Sequence, residues 1–450
     1  MRACRNPGTG GGLALLFFLF FDRRCTMSET TVRLNRRQML ATTGKASAVL
    51  ALPTLLPAAS LGRDGVVAPS ERVVLGGIGL GGRGTGVLRS FMNNPDVQFV
   101  AICDIRRQRR EAVKNLADNH YGNEDCATYR DMDEILARPD IDSVLIATGD
   151  RWHAMASIIA AKAGKDVFCE KPCSMTISES QALADTFRRY GVIYQAGTQR
   201  RSIGNFQFAA DLAHSGRLGK LHTVHANTLN PPTRHDWLPA QPEPPKEEVD
   251  WDAWLGPCPW RPYNARYVAG GWRGFFDFHG GGILEWGSHT VDLCQWAGQK
   301  DDTAPVEYTP EGSGVICHYA DGLKLVMRDS GWMGLGTCSV RYEGDEGWIE
   351  TGDSGRFAIY PETLRTERTV FTMAGTDPST HVRNFLDCVK TRKPANANSD
   401  VAAQSHIACH AAYIAWQLGR TLKYDPTIDA FEDEEANRMR SRAMREPYRI

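Results

Sequence analysis

The sequence predicts an α/β protein in which a doubly wound parallel sheet opens the folded chain and a second domain follows it. Three observations carry that prediction. At 450 residues the chain exceeds the roughly 100–200 residues of a single domain. A Gly79-x-Gly81-x-x-Gly84 turn joins a short apolar run to a helix-compatible one. From residue 72 to 196, apolar runs of strand length alternate with stretches of helix length, the pattern of strand–helix–strand units. Composition agrees: 42% apolar, 23% charged and a net charge of −1 describe an ordinary globular chain. It has no basic field to hold a phosphate backbone, so nucleic acid is not expected as a partner and a small molecule is.

Residues 1–69 read as a leader. Leu13 to Phe21 is a run of nine apolar residues, short of the about 20 that a membrane-spanning helix needs, so no membrane span is expected. Beyond a second start at Met27 come Arg36-Arg37, a weakly apolar stretch from Ala46 to Leu56, and the small residues Ala58-Ala59-Ser60, in the order of an export signal. The arginine pair resembles a twin-arginine signal, whose pathway exports folded proteins. The expectation is therefore a true start at Met27 and a periplasmic location. The twelve cysteines contain no C-x-x-C pair and are expected as buried thiols.

The folded part begins at Arg72. The run Val73 to Ile78 reads as a strand, and the glycines after it have separate tasks: Gly79 permits the tight turn, Gly81 lets backbone approach a pyrophosphate, and Gly84 allows close helix-to-strand packing. Gly82 and Arg83 complete the loop. A second strand, Val97 to Cys103, ends at Asp104, where a carboxylate can accept from a ribose 2′-hydroxyl and favours NAD. Arg106 and Arg107 follow and could embrace a 2′-phosphate, so NADP stays open. Helices are expected over 106–119, 131–137, 153–163 and 178–190, and strands over 141–147, 166–169 and 192–196. Ligands on such sheets bind at the carboxyl ends of the strands, where Thr148-Gly149-Asp150-Arg151-Trp152-His153 and Glu170-Lys171-Pro172 fall.

At Glu170-Lys171-Pro172 the chain resembles a known family. The Gly-rich turn, the Ile-Ala-Thr strand end leading to Trp152-His153, Ala163-Gly164-Lys165-Asp166-Val167 and Glu-Lys-Pro look like the glucose–fructose oxidoreductase, inositol dehydrogenase and rhizopine catabolism (Gfo/Idh/MocA) family. Trp251 to Pro257, Trp286 to Asp292, Glu434 to Asn437 and Arg445 to Tyr448 match its exported bacterial branch. The resemblance implies a Rossmann dinucleotide-binding domain over 70–199 and an α+β domain over 200–450, built on an open, mainly antiparallel sheet. Strands of that sheet are assigned to 221–228, 314–319, 323–328, 337–343 and 347–350. It also implies cofactor contacts from the glycine loop, Asp104, Thr148, Trp152, His153, Glu170 and Lys171, and assembly as a homodimer or homotetramer.

The implied reaction is exchange of hydride between a nicotinamide and a hydroxyl of a sugar, sugar derivative or cyclitol. In the family the lysine of Glu-Lys-Pro, here Lys171, lies beside the substrate hydroxyl. Its second catalytic pair is an aspartate and a histidine four residues apart. Those positions hold Glu285 and His289, a departure that lengthens the carboxylate arm by one methylene. Six of the eleven tryptophans lie between Trp237 and Trp286 and offer flat faces to sugar C–H bonds. Trp286, Arg200, Arg201 and His235 are candidate substrate contacts. His279, Glu285 and His289 lack a recognised metal-ligand spacing, so no metal is expected. Two other readings stay open, an NAD-dependent glycosidase or lyase that oxidises the ring transiently and a non-catalytic sugar-binding protein.

Overall fold

The computed structural model describes residues 67–229, 234–365 and 371–450. The leader, Met27 and the twin-arginine pair lie outside them. The first sheet is built from β1 (Val73–Ile78), β2 (Val97–Cys103), β3 (Ala127–Tyr129), β4 (Ser143–Ile146), β5 (Asp166–Cys169) and β6 (Tyr194–Ala196). Its order is β3-β2-β1-β4-β5-β6, and every pairing is parallel. Between the strands run α1 (Gly82–Met92), α2 (Arg107–Tyr121), α3 (Met132–Leu136), α4 (Asp150–Lys162) and α5 (Ile177–Tyr190).

Local sequence explains these bounds. Helix α5 starts where the Thr176 hydroxyl accepts from the Glu179 amide, and it ends at Gly191, whose φ of 65° closes the last turn. Helix α1 turns Val87, Leu88, Phe91 and Met92 inward, at the three- and four-residue spacing of one helix face. The register sets Ile78 opposite both Cys103 and Ile146. Gly79, Asp104 and Thr148 therefore leave the sheet together at its carboxyl edge.

The second domain contains α6 (Gly204–His214), β7 (Leu221–Asn227), α7 (Trp251–Leu255), α8 (Gly282–Ala297), β8 (Glu307–Glu311), β9 (Gly314–His318), β10 (Lys324–Arg328), β11 (Val340–Gly344), β12 (Gly347–Thr351) and β13 (Phe357–Tyr360). After them come α9 (Ser379–Thr391), α10 (Ser399–Leu418), β14 (Leu422–Asp425), β15 (Ala430–Phe431) and α11 (Glu434–Arg438). The nine strands run β13-β12-β11-β7-β10-β9-β8-β14-β15. Only the β7–β10 pairing is parallel among the described residues, so the sheet is mainly antiparallel. Helices α8 and α10 pack Val291, Cys294, Ile407 and Ala411 against Val224, Tyr308, Leu325 and Tyr342 of its strands.

Strands β8, β13, β14 and β15 have no counterpart in the sequence reading. In β8 and β13 burial is sparse, with only Tyr308 and Ile359 fully buried; β14 does alternate, with Leu422 and Tyr424 inward, but over only four residues. Helix α9 departs from the contiguous 200–450 domain drawn above. Its Val382, Phe385 and Leu386 join the core of the first sheet with Phe91 and Phe168. Arg383 and Lys390 pair with Asp96, and Arg392 with Asp166. The ten cysteines among the described residues are all buried and unpaired, and no described helix is long and apolar enough to cross a membrane.

Candidate active site

The carboxyl edge of the first sheet opens into a cavity of about 840 Å³. Its wall includes the glycine loop that follows β1, where each glycine has its own constraint. Gly79 has φ +68°, and a Cβ there would meet Thr148 Cγ2 at 2.4 Å. At Gly81 and Gly82 an added Cβ would meet nothing within 4 Å, so their backbone is bare to the cavity. At Gly84 it would stand 2.7 Å from Ala147 Cβ, which fixes how closely α1 approaches β4. A turn, an open approach and a tight packing contact are the three tasks expected of a dinucleotide loop.

Further along, Asp104 sits on the wall at 6% exposure. Its Oδ1 accepts from the Arg106 amide at 2.9 Å, and burial raises its carboxyl against the pull of Arg106, Arg109 and Arg110. Arg106, Arg109 and Arg130 line the same cavity, so a carboxylate for ribose hydroxyls and cations for a 2′-phosphate are both at hand. The bare glycine backbone, Asp104 and Thr148 on one continuous wall fit a dinucleotide.

Three of the predicted cofactor contacts, His153, Glu170 and Trp152, line the cavity and also brace it. The Gly149 amide donates to His153 Nε2 at 3.2 Å, so Nδ1 carries the proton and donates to the Pro172 carbonyl at 2.7 Å. Buried and held below its usual pKa by desolvation, neutral His153 ties the Thr148–Gly149 turn to the Glu-Lys-Pro loop. Glu170 accepts from Arg83 Nε at 2.8 Å, tying the glycine loop to the same place. Trp152 lines the cavity while its Nε1 donates to the Ala253 carbonyl at 2.9 Å, which joins the two domains.

Lys171 and Glu285 meet on the cavity wall, beyond β5 and so on the other side of the glycine loop from Asp104. Lys171 Nζ donates to both the backbone oxygen and Oε1 of Glu285, each at 2.9 Å. The other carboxylate oxygen, Oε2, lies 3.1 Å from His279 Nε2. Because the Gly274 amide donates to His279 Nδ1 at 3.2 Å, Nε2 bears the ring proton and donates it to Glu285. Burial alone would raise the Glu285 carboxyl. The His279 hydrogen bond and the Lys171 charge outweigh it and hold the group well below the usual carboxylate range.

One turn along α8, His289 is 5% exposed, and its Nδ1 is buried without a hydrogen-bond partner. Burial, with Arg200, Lys171, Arg83 and His406 nearby, pushes it well below a normal histidine, so it is neutral at pH 7. The cavity wall includes Lys171 and Glu285 but not His289.

Sequence reasoning weighed His279 only as a metal ligand and missed its bond to Glu285, six residues on. With Asp150 and Glu285 this histidine forms a group whose possible ligand atoms lie within 4.8 Å of one another. Their atoms are already engaged: Nε2 carries a proton, Asp150 Oδ2 accepts from the Gly280 amide at 3.0 Å, and Glu285 holds an ammonium. The donor set does not suit a cation.

The proposed substrate contacts fare differently. Arg201 is used by Asp292 and Asp301, and Arg200 Nε and Nη2 by Asp353. Both are buried, and neither reaches the cavity wall, which corrects the expectation that they face substrate. The carboxylates facing them were too far off in sequence to be foreseen. His235 is exposed against Phe276, with ring centroids 4.9 Å apart, and is also off the wall. Trp286 is half-buried beside Glu285, likewise not on it. Trp272, one of the six clustered tryptophans, and Tyr448, the last residue of the Arg445–Tyr448 motif, are on the wall, though neither was named as a site residue.

Comparison with known proteins follows these divisions. The model described as "Oxidoreductase family, NAD-binding Rossmann fold" (GFO_IDH_MocA) matches residues 72–198. The one described as "Oxidoreductase family, C-terminal alpha/beta domain" (GFO_IDH_MocA_C2) matches 233–450. An uncharacterized oxidoreductase of Bacillus subtilis, YrbE, is 26% identical over 299 residues, covering 66% of this chain and 71% of its own. A protein of Shewanella pealeana named as a glycosyl hydrolase family 109 protein is 32% identical over 177 residues, 35% of this chain and only 38% of its own length. Among solved structures, myo-inositol 2-dehydrogenase of Lactobacillus plantarum superposes with a TM-score of 0.57 at 18% identity, covering 79% of this chain and all of that one. That likeness is one of fold.

Proposed function

Because this chain is an oxidoreductase of the Gfo/Idh/MocA family, we propose that it binds NAD, with NADP the alternative, and oxidises a hydroxyl of a sugar, sugar derivative or cyclitol. One observation carries the reading: the Lys171 ammonium, fixed by Glu285 at 2.9 Å, stands on the same cavity wall as the open backbone of Gly81 and Gly82. Bound there, the nicotinamide supplies the hydride acceptor that no side chain can provide.

The residues divide the remaining work. Two of the three Lys171 N–H groups are taken by Glu285, which leaves the third for the substrate oxygen, where it steadies charge as the hydroxyl proton leaves. Ionised Glu285 aims Lys171, and His279 keeps that carboxylate in place. The family resemblance supports neutral His289 as the proton acceptor; it is buried one turn behind Glu285 and off the wall, so the role requires the hydroxyl to reach past Lys171. A second reading, in which the oxidation is transient and a glycosidic bond is then broken, draws support from the name of the Shewanella relative. Arg36-Arg37 and the weak apolar stretch after them support export to the periplasm by the twin-arginine route, and the family resemblance supports a homodimer or homotetramer.

The test is chemical. Purified protein, denatured and filtered, should release a nicotinamide dinucleotide visible at 260 nm, or should bind added NAD or NADP. The loaded protein is then screened against sugars and cyclitols for reduced cofactor and for bond cleavage. Accumulation of reduced cofactor supports the dehydrogenase, and cleavage without it supports the second reading. Failure to release or bind either dinucleotide overturns both.

A further inference from the structure

Arg151 is buried at 4% exposure in the first turn of α4, and three features of its setting oppose a lone cation. No carboxylate among the described residues stands within ion-pair distance of it, and its Nη1 is buried with no hydrogen-bond partner. A guanidinium out of water and unpaired is costly. The first turn of a helix carries the positive end of the helix dipole and favours anions, and the cap residue of α4, Gly149, offers no side chain to its amides. Local packing offsets only part of the cost: Nε donates to the Trp254 carbonyl at 2.6 Å, and the group lies 3.5 Å above the Trp254 ring and 5.8 Å from that of Trp272. The ring faces attract the cation and hold its plane, but they supply no counter-ion. Asp150 and Asp104 lie near enough to support the charge, yet burial prevails and lowers Arg151 to about 10.

The orphaned nitrogen has a definite address. A Cβ built on Gly149 would stand 3.1 Å from Arg151 Nη1 and 3.3 Å from the Trp272 ring, so the nitrogen borders the face of Gly149 that its φ of +118° reserves for glycine. The preceding residue, Thr148, is the one against which Gly79 is packed. Nη1 is thus buried directly behind the Gly149 turn, and Gly149 and Arg151 both line the large cavity. Arg151 also borders a smaller cavity of about 360 Å³, but Gly149 is on the wall of the larger one only.

We propose that Arg151 is the counter-ion for the diphosphate of the dinucleotide, so that the cofactor completes an ion pair the protein alone leaves open. The inference rests on the dinucleotide reading above. A diphosphate at this place meets the bare amides of the glycine turn, the N-terminus of α4 and the free guanidinium nitrogen together. The ligand-free protein then carries an uncompensated buried charge, and loading relieves it.

The experiment uses the full chain stripped of cofactor, with Arg151→Met as the variant. Binding of NAD and NADP is measured by titration, inorganic pyrophosphate serves as competitor, and melting is followed with and without NAD. The expected result is a loss of NAD affinity of about 10- to 100-fold, loss of pyrophosphate competition, and a ligand-free variant that melts no lower than the ligand-free parent. A variant that melts lower while binding NAD as tightly as the parent would mean that Arg151 is only a packing plank for Trp254, and the proposal is overturned. Weakened NAD binding with pyrophosphate still competing overturns it too, placing Arg151 on another part of the ligand. A parent protein that binds neither dinucleotide refutes the functional reading itself, a separate outcome. Should Arg151→Met not fold, Arg151→Gln keeps a donor, drops the charge and carries the same expectations.

Discussion

A lysine that serves a reacting hydroxyl must stay aimed, and the contacts of Lys171 provide that. Its partner Glu285 is held ionised far below the usual range by His279 and by Lys171 itself, so the carboxylate that aims it persists across the neutral range. Lys171→Met and His289→Asn should each lower turnover by about 10²- to 10⁴-fold with cofactor affinity and melting temperature little changed. Because both act on one proton transfer, the double variant should lose far less than the product of the single losses. With His289 neutral well below pH 6.5, the acid limb of kcat/KM should also lie below that value. A His289→Asn variant with near-parental kcat on whichever substrate emerges would move the proton acceptor elsewhere. Much of this site was legible in the sequence, because the glycines, Asp104 and Lys171 sit at strand ends whose positions follow from chain order alone. His279, the ion pairs that withdraw Arg200 and Arg201, and the bracing role of His153 were not legible. The arginines depend on Asp353 and Asp292, far off in sequence, and His153 on Pro172, nineteen residues on; His279 is near Gly274 and Glu285, but in an irregular stretch where no periodicity shows which side chains meet.

At the level of elements, the helices and strands of the first sheet were readable because burial on both faces writes unbroken apolar runs such as Phe99 to Cys103. The outer strands of the second sheet bury too few side chains to leave that trace. The helix that crosses back, α9, was placed with its neighbours in sequence, and only packing shows where it belongs. Phe385 meets Phe91 and Phe168 edge-on, with centroids 5.9 and 5.8 Å apart, and those two rings belong to α1 and β5 of the cofactor domain. Phe385→Ala should therefore cost about 3–5 kcal/mol, the range for an aromatic removed from a packed core, read as a lower midpoint in denaturant. The loss should appear in a single transition, since α9 ties the cofactor domain to the rest of the chain. A cost below about 1 kcal/mol, outside that range, or a separate early transition confined to residues after 378, would show that α9 is not part of that core.

For the whole molecule, the joints between the domains are sensitive to acid. His406 of α10 accepts from the Cys173 amide at 3.0 Å and donates to the Ala402 carbonyl at 2.7 Å, tying the second domain to the loop that carries Lys171. His381 of α9 lies 2.8 Å from the Ala196 carbonyl and 2.8 Å from the Ser202 hydroxyl, fastening α9 to the end of β6. Burial lowers both to about 4. An unfolded chain takes up these protons near pH 6.5 and the native one only near 4, so the unfolded state holds more protons throughout that window. Stability is then lost as pH falls, by about 1.4 kcal/mol per pH unit for each histidine, and above 6.5 neither contributes. Glu179, which burial raises to about 7, works in the opposite sense, because there the native state binds the proton first. The histidine share must therefore be isolated by substitution. In His406→Gln, whatever its stability at pH 7.5, the slope of unfolding free energy between pH 6.5 and 4.5 should fall by one proton's worth, about 1.4 kcal/mol per unit. A slope equal to the parent's would show that His406 takes its proton in the native state as readily as in the unfolded one, and that acid does not act at this joint.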